Sequence, residues 1–424
     1  MSETQLSITA QERSYLRELA KKQAEYAALP VMAERKALWY AHNELRGERP
    51  LIVMELDTFE PDILPELKCT TPEAVWIERS LLRHLINYEA IGDDKVIPDI
   101  FVVPWQIHID EFGVEIPREH ADDGRGHDIG YRWKHPLKNL KEDFKILKPA
   151  AFSVDRELTY AIRDFANEVL GDILPVKVEN HSFHWHAAPS SKVVSLMGLE
   201  RMMLSLVDEP EEMHALYAYL RDNILAFAKW QEQEKLLTLN NGNHYTGAGS
   251  YGFTHQLPCS EEYTRTQLIT TDDLWLNINS QETVGISPRM YKNFIFPYYR
   301  DLCAEFGQVY YGCCEPVHEI WDCCVSQYPN LRKVSISAWC NEEFMGEALR
   351  GSQVIYSRKP SPNYIGVGKD LDTDAFSAHI RKTLLAAKDC HLEIIFRDIY
   401  TLSGDLSKPG RAVEITRRLI DELW

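Results

Sequence analysis

With 424 residues, 45% of them apolar and 11% aromatic, the chain can bury a large core, which excludes a disordered polypeptide. Its 46 Lys and Arg stand against 64 Asp and Glu, a net charge of −18 with no basic patch to offset it, which argues against nucleic acid or an anionic membrane as partner. No apolar run follows a basic start, and no later stretch approaches the ~20 apolar residues of a spanning helix, so the expectation is a cytoplasmic protein with no membrane partner.

In chain order, Thr9 and Glu12 fit a capping box, and Leu16, Leu19, Ala20 and Ala24 follow at helical spacing, so a helix is predicted to end before Pro30. Residues 1–48 read as an N-terminal helical extension and residues 49–424 as one domain. After Pro50 comes LIVMEL, an apolar run of the kind expected of a strand buried on both faces. Similar runs recur at 100–105, 175–180, 274–279, 308–313, 333–339, 353–357 and 392–396. Residues 236–240 would make a ninth and are read as a lead-in or hairpin segment of a long insertion.

Between these runs lie patterns of period 3.6, the clearest being Met213, Leu216, Leu220, Ile224 and Phe227 after Asp208-Glu209-Pro210. Strands alternating with helices predict an α/β fold, a TIM-type (β/α)₈ barrel with long loop insertions. Residues 106–150 and 240–262 show no strong periodicity and read as long loops.

In such a barrel the chemistry gathers at the C-terminal ends of the strands. The residues there include Glu55 and Asp57; Trp105; His184 and His186; Asn279 and Gln281; Cys313, Cys314 and Glu315; Trp339 and Cys340; Lys359; Arg397 and Asp398. Gly312-Cys313-Cys314-Glu315-Pro316 is the sharpest of these stretches, because thiols and a carboxylate after a buried strand offer soft and hard donors to one zinc ion. Cys314, Glu315 and Cys340 are the expected metal ligands; the alternative makes the cysteines small apolar packers. Nine cysteines, an odd number with two adjacent pairs, suit reduced thiols better than a disulfide framework. Cys323 and Cys324 are expected to sit in the core, in a helix after their strand.

His184 and His186 would face the same side of an extended strand and share a ligand. His255, in a Gly-rich loop, is expected to reach the site from above. Lys359 could hold a carboxylate or phenolate, and Asp398 is a candidate general acid or base. No GxGxxG follows the first strand, and neither GxxxxGK[ST] nor GxSxG occurs, so nicotinamide-linked, P-loop and serine-hydrolase chemistry lack their usual footing.

Over residues 50–424 the order of pieces resembles the uroporphyrinogen decarboxylase superfamily, in particular its corrinoid-dependent methyltransferases. The resemblance is carried by Gly198-Leu199-Glu200, by Asp208-Glu209-Pro210, by Ser280 to Pro288 running into Phe296-Pro297-Tyr298, and by the Gly-Cys-Cys-Glu-Pro stretch. Met54-Glu55-Leu56-Asp57 is acidic where the decarboxylases carry arginine, which argues against porphyrinogen decarboxylation. In the family's thiol methyltransferases zinc is held by a His-x-Cys; here Gly312 occupies the position of that His and Cys314 that of the Cys, with Asp398 near the last ligand.

The resemblance implies the methyltransferase component of an O-demethylase. It would pass a methyl group from a methoxylated, possibly aromatic, small molecule to a methylcobamide on a separate corrinoid protein. In that reading Glu315, Asp398 and His255 are catalytic. Trp105, His184, His186, Asn279, Gln281, Trp339 and Lys359 bind substrate. The alternatives are a zinc-dependent thiol methyltransferase, a decarboxylase of another acid, and a non-catalytic ligand-binding barrel.

Overall fold

A computed structural model describes residues 6–122, 128–180 and 187–424, and for residues 120–132 no side chain is described. Helix Ala10–Ala27 begins at the expected capping box, Thr9 Oγ1 accepting from Glu12 N at 3.1 Å and Glu12 Oε2 accepting from Thr9 N at 2.9 Å. Pro30 does not merely end this helix; it opens a second one, Pro30–Asn43, at the position where a missing N–H costs nothing.

The strands that follow are β1 (Leu51–Met54), β2 (Phe101–Pro104), β3 (Ile107–Asp110), β4 (Arg118–Asp122), β5 (Asp128–Trp133), β6 (Ala151–Val154) and β7 (Val176–Glu179). After helix Pro210–Gln233 come β8 (Tyr245–Gly247), β9 (Ser250–Tyr251), β10 (Trp275–Ile278), β11 (Gln308–Tyr311), β12 (Leu331–Ile336), β13 (Ile355–Arg358) and β14 (Leu392–Phe396). Six of them form one parallel sheet in the order β1-β14-β13-β12-β11-β10, and β2 pairs in parallel with β7. All eight apolar runs singled out in the sequence lie in these parallel strands.

Strand alternation divides the sheet's two faces between different partners. Ile52, Met54, Val334, Ile336, Ile394 and Phe396 join one large core with the helices, among them Leu216, Leu220 and Phe227 of helix Pro210–Gln233. Leu51, Val53 and Ile395 point the other way and pack with Met32 and Trp39 of the second helix and with Phe253. The β8–β9 hairpin lies on this second face. Gly249 at its turn has φ +87°, and an added Cβ would stand 2.2 Å from Ile395 Cγ2, so only glycine lets the turn seat there.

This face carries a buried polar network where the hairpin lands. Lys333 Nζ donates to Ser250 Oγ at 2.6 Å and lies 3.3 Å from Glu393 Oε2, while Ser357 Oγ donates to Glu393 Oε1 at 2.5 Å. His42 Nε2 stands 3.3 Å from the same carboxylate, which ties the N-terminal helices to the sheet.

Strand β1 does not pair with β2. Its amides are taken by two carboxylates of the intervening loop: Asp94 Oδ2 accepts from Ile52 N at 2.9 Å and Asp93 Oδ2 from Met54 N at 2.7 Å. Side chains thus replace a neighbouring strand and leave a seam between β1 and β2.

Two expectations are corrected. Residues 106–150 are not an unstructured excursion: β3 pairs with β6 and β4 with β5, both antiparallel. The half-exposed alternation of β3 and β6 lacks the continuous apolar run used to find the other strands. Cys323 and Cys324 do not sit in an α-helix; short 3₁₀ turns flank them at Val317–Glu319 and Val325–Gln327, although Cys324 is buried as expected.

Candidate functional site

The parallel hydrogen-bond ladder continues past the strand ends and fixes the residues that follow. Glu55 N donates to Phe396 O at 2.8 Å, Gly312 N to Ile278 O at 2.8 Å, and Lys359 N to Ile336 O at 2.8 Å. Gly312 has φ +97° and lies close over Ser335, which turns the chain so that Cys313 and Cys314 come in beside β14. Asp398, directly after β14, has φ +59°, a conformation that Asp tolerates better than most residues.

A row of partnered groups results. Tyr245 OH, from the hairpin, donates to Glu55 Oε1 at 2.5 Å; Arg397 Nε lies 3.1 Å from Glu55 Oε2 and 3.4 Å from Asp398 Oδ2. Cys314 Sγ donates to Asp398 Oδ2 at 3.7 Å, and Arg397 Nη1 stands 3.6 Å from Cys313 Sγ. Cys313 Sγ and Cys314 Sγ are 3.6 Å apart; this contact lowers the Cys314 thiol pKa and, together with burial, raises that of Cys313. Glu55, Tyr245 and Arg397 line a cavity of about 720 Å³ that runs from the strand ends toward Arg83 and Lys95 in the seam.

Lys359 is buried below this row. Its Nζ hydrogen-bonds Tyr310 OH and lies 2.6 Å from Ser357 Oγ. Burial pushes its pKa down to about 7, more than Glu393 restores. Between that value and the ordinary lysine value of about 10.4, the unfolded chain holds a proton that the folded chain lacks, so this residue makes stability rise with pH across the window. The expected outcome is a slope of up to ~1.4 kcal/mol per pH unit in the difference between wild type and Lys359→Met, read by urea unfolding from pH 7 to 9.

The residues expected from the sequence are only partly gathered. Asp398, Cys314 and Lys359 stand around this row. Glu315 is committed to backbone: Oε1 accepts from Ser280 N at 2.8 Å and Oε2 from Cys313 N at 2.9 Å. Burial raises its pKa, and those backbone bonds only partly counter it. Cys340 Sγ accepts from Val317 N at 3.3 Å and lies 3.7 Å from Ser337 Oγ. Among the described residues no three His, Cys, Asp or Glu side chains are grouped as metal ligands, so the expected zinc set of Cys314, Glu315 and Cys340 is not brought together. Glu315→Ala is expected to lower stability by about 2–4 kcal/mol, because it leaves two buried N–H groups unsatisfied, while zinc content, read by metal analysis, stays as in wild type.

His255 is remote from the row: its Nδ1 stands 2.9 Å from Glu44 Oε1 and its ring stacks on Tyr40 at 4.0 Å, on the N-terminal extension. Trp105 packs on Tyr160 of helix Arg156–Leu170. Asn279 is buried with its Oδ1 lacking a hydrogen-bond partner among the described residues, Gln281 contacts Glu282, and Trp339 is 69% exposed. His184 and His186 lie outside the described residues. Sequence reasoning missed Tyr245; the Gly-Ala-Gly turn between Tyr245 and Tyr251 is the hairpin signal that points to it.

No helix among the described residues is long and apolar enough to cross a membrane. Compared with known proteins, the chain matches no family model and no curated protein.

Proposed function

We propose that this chain is a (β/α)₈ barrel of the uroporphyrinogen decarboxylase superfamily that acts as the methyltransferase component of a corrinoid-dependent O-demethylase. The closed barrel is supported by eight parallel strands in which the β2–β7 pair falls, in chain order, between β1 and β10. The observation that carries the function is the row Tyr245–Glu55–Arg397–Asp398–Cys314 where the strands end, of which Tyr245, Glu55 and Arg397 line a cavity large enough for a small molecule.

The corrinoid, carried by a separate protein, supplies the methyl acceptor. Everything else falls to the chain. The cavity holds the methyl ether with its oxygen toward Arg397, whose guanidinium stabilises the charge that develops as the carbon–oxygen bond breaks. Asp398 Oδ2 takes a proton from the neighbouring Cys314 thiol and passes it to the departing oxygen. Glu55, held by Tyr245 and Arg397, keeps the guanidinium in place. Trp339 and Tyr400, 69% and 76% exposed beyond β12 and β14, suit contact with the corrinoid protein.

The test mixes the purified chain, a corrinoid protein reduced to cobalt(I) and a methoxylated substrate, and follows the corrinoid absorbance. Formation of methylated corrinoid only when the chain is present supports the reading; an unchanged spectrum with a panel of methyl ethers overturns it.

A further inference from the structure

The seam between β1 and β2 opens a side chamber of about 120 Å³ off the main cavity, the two sharing Arg83, His84, Lys95 and Tyr251 in their walls. Its wall includes Asn87, the first residue of a π-helical turn, Asn87–Ile91, that follows helix Pro72–Ile86. Such single π turns are rare and concentrate at functional sites. Asn87 is 3% exposed, yet neither its Nδ2 nor its Oδ1 has a hydrogen-bond partner among the described residues. Leaving a buried carboxamide unpaired is costly, so it marks a position kept for something other than stability.

A second unpaired group faces the same chamber. Asn243 Nδ2 donates to Val96 O at 3.0 Å, which fixes the amide orientation and leaves Oδ1 as an acceptor without a donor. Burial, with Lys95 and Arg83 close by, lowers the His84 pKa to about 4, so this wall residue is a neutral imidazole offering one donor and one acceptor.

The cations of the chamber are already engaged. Arg83 pairs with Asp57, and its Nη1 lies 3.0 Å from Glu60 Oε2. Lys95 Nζ donates to Met54 O at 2.7 Å and lies 3.6 Å from Asp93 Oδ2. A carboxylate, which only accepts, would find no free cation here and would leave the Asn243 oxygen unpaired. Two neighbouring hydroxyls do both: their O–H groups donate to the two carboxamide oxygens, and their oxygens accept from Asn87 Nδ2 and the imidazole N–H.

We propose that this chamber is a recognition site for the hydroxyl groups of an uncharged small molecule, an adjacent diol, whose remaining part extends into the main cavity toward Glu55 and Arg397. At about 120 Å³ the chamber is well above the ~10–15 Å³ that one water needs and has room for a diol unit. The assignment rests on the main cavity being the substrate site and names the substrate class for the proposed reaction: a hydroxylated methyl ether rather than a methoxylated acid.

The experiment is calorimetric titration of the purified chain with catechol, methyl α-glucopyranoside and benzoate, without a corrinoid protein. Binding of one diol, with benzoate weaker by about tenfold or more, is expected; catechol or the glucoside as binder separates an aromatic from a sugar source. Asn87→Leu is expected to weaken the bound diol about tenfold while its unfolding midpoint stays level or rises, because the free protein loses no hydrogen bond. Asn243→Ala should weaken the diol in the same direction. The proposal is overturned if neither diol binds, if benzoate binds as tightly, if Asn87→Leu keeps its affinity, or if that variant is destabilised. Diol binding without methyl transfer would sink the proposed reaction and leave this inference standing, whereas transfer from a methyl ether that bears no hydroxyl would do the reverse.

Discussion

If the proposed methyl transfer holds, Asp398→Asn is expected to lower it by about 10²- to 10⁴-fold with little change in substrate binding, the range for loss of a positioned proton donor. The argument is geometric. Asp398 Oδ2 is the atom that meets both the Arg397 guanidinium, at 3.4 Å, and the Cys314 thiol, at 3.7 Å, and its side chain is still 32% exposed. Glu55, by contrast, has both oxygens held, by Tyr245 and Arg397. Asparagine keeps the shape of Asp398 and can still accept from the thiol, so what it removes is the ability to carry a proton. Stopped-flow formation of methylated corrinoid reads the rate, and calorimetry reads substrate affinity. A variant at full rate would remove Asp398 from the mechanism, and one that lost affinity alone would make it a binding group.

Glu393→Leu costs about 3–5 kcal/mol in urea unfolding, the range for stranding a buried charge. Lys333 is fully buried and its ammonium faces Ser250, the carbonyl of Tyr251 and Glu393, with Trp39 and Trp275 rings at 5.5 and 5.3 Å. Removing the carboxylate leaves that charge without an anion and removes the acceptor of the Ser357 hydroxyl. Burial would raise the pKa of Glu393, but Lys333, then His42 and Lys359, outweigh it and hold the carboxyl well below the usual carboxylate range. The stability this carboxylate contributes is therefore fully present above the unfolded glutamate value of about 4.3 and is lost as pH falls below it. The double variant Lys333→Met with Glu393→Leu should recover much of the loss, because both charges leave together. If Glu393→Leu alone were as stable as wild type, the network would be a bystander.

How much of this was legible in the sequence differs element by element. The capping box at Thr9, the helix opened by Pro210 and all eight parallel strands were readable, because apolar periodicity reports directly which face of a local element is buried. Asp398 and Lys359 were readable as polar residues that follow apolar strands. The antiparallel pair of β3 and β6 was not, since its alternation is half-exposed and weak.

The role of Glu315 was also out of reach. A carboxylate beside two thiols reads as a metal donor until the amides of Ser280 and Cys313 are seen to hold both its oxygens. Sequence by itself determined the α/β alternation, the strands and helices, and the polar character of the strand ends, all properties of short segments. Only the tertiary structure decided that Tyr245 reaches Glu55, that Asp93 and Asp94 replace a neighbouring strand beside β1, and that Asn87 and Asn243 face one chamber. The reason is physical: a buried polar group takes its meaning from the partner that satisfies it, and that partner can lie 190 residues away, as it does for Tyr245 and Glu55.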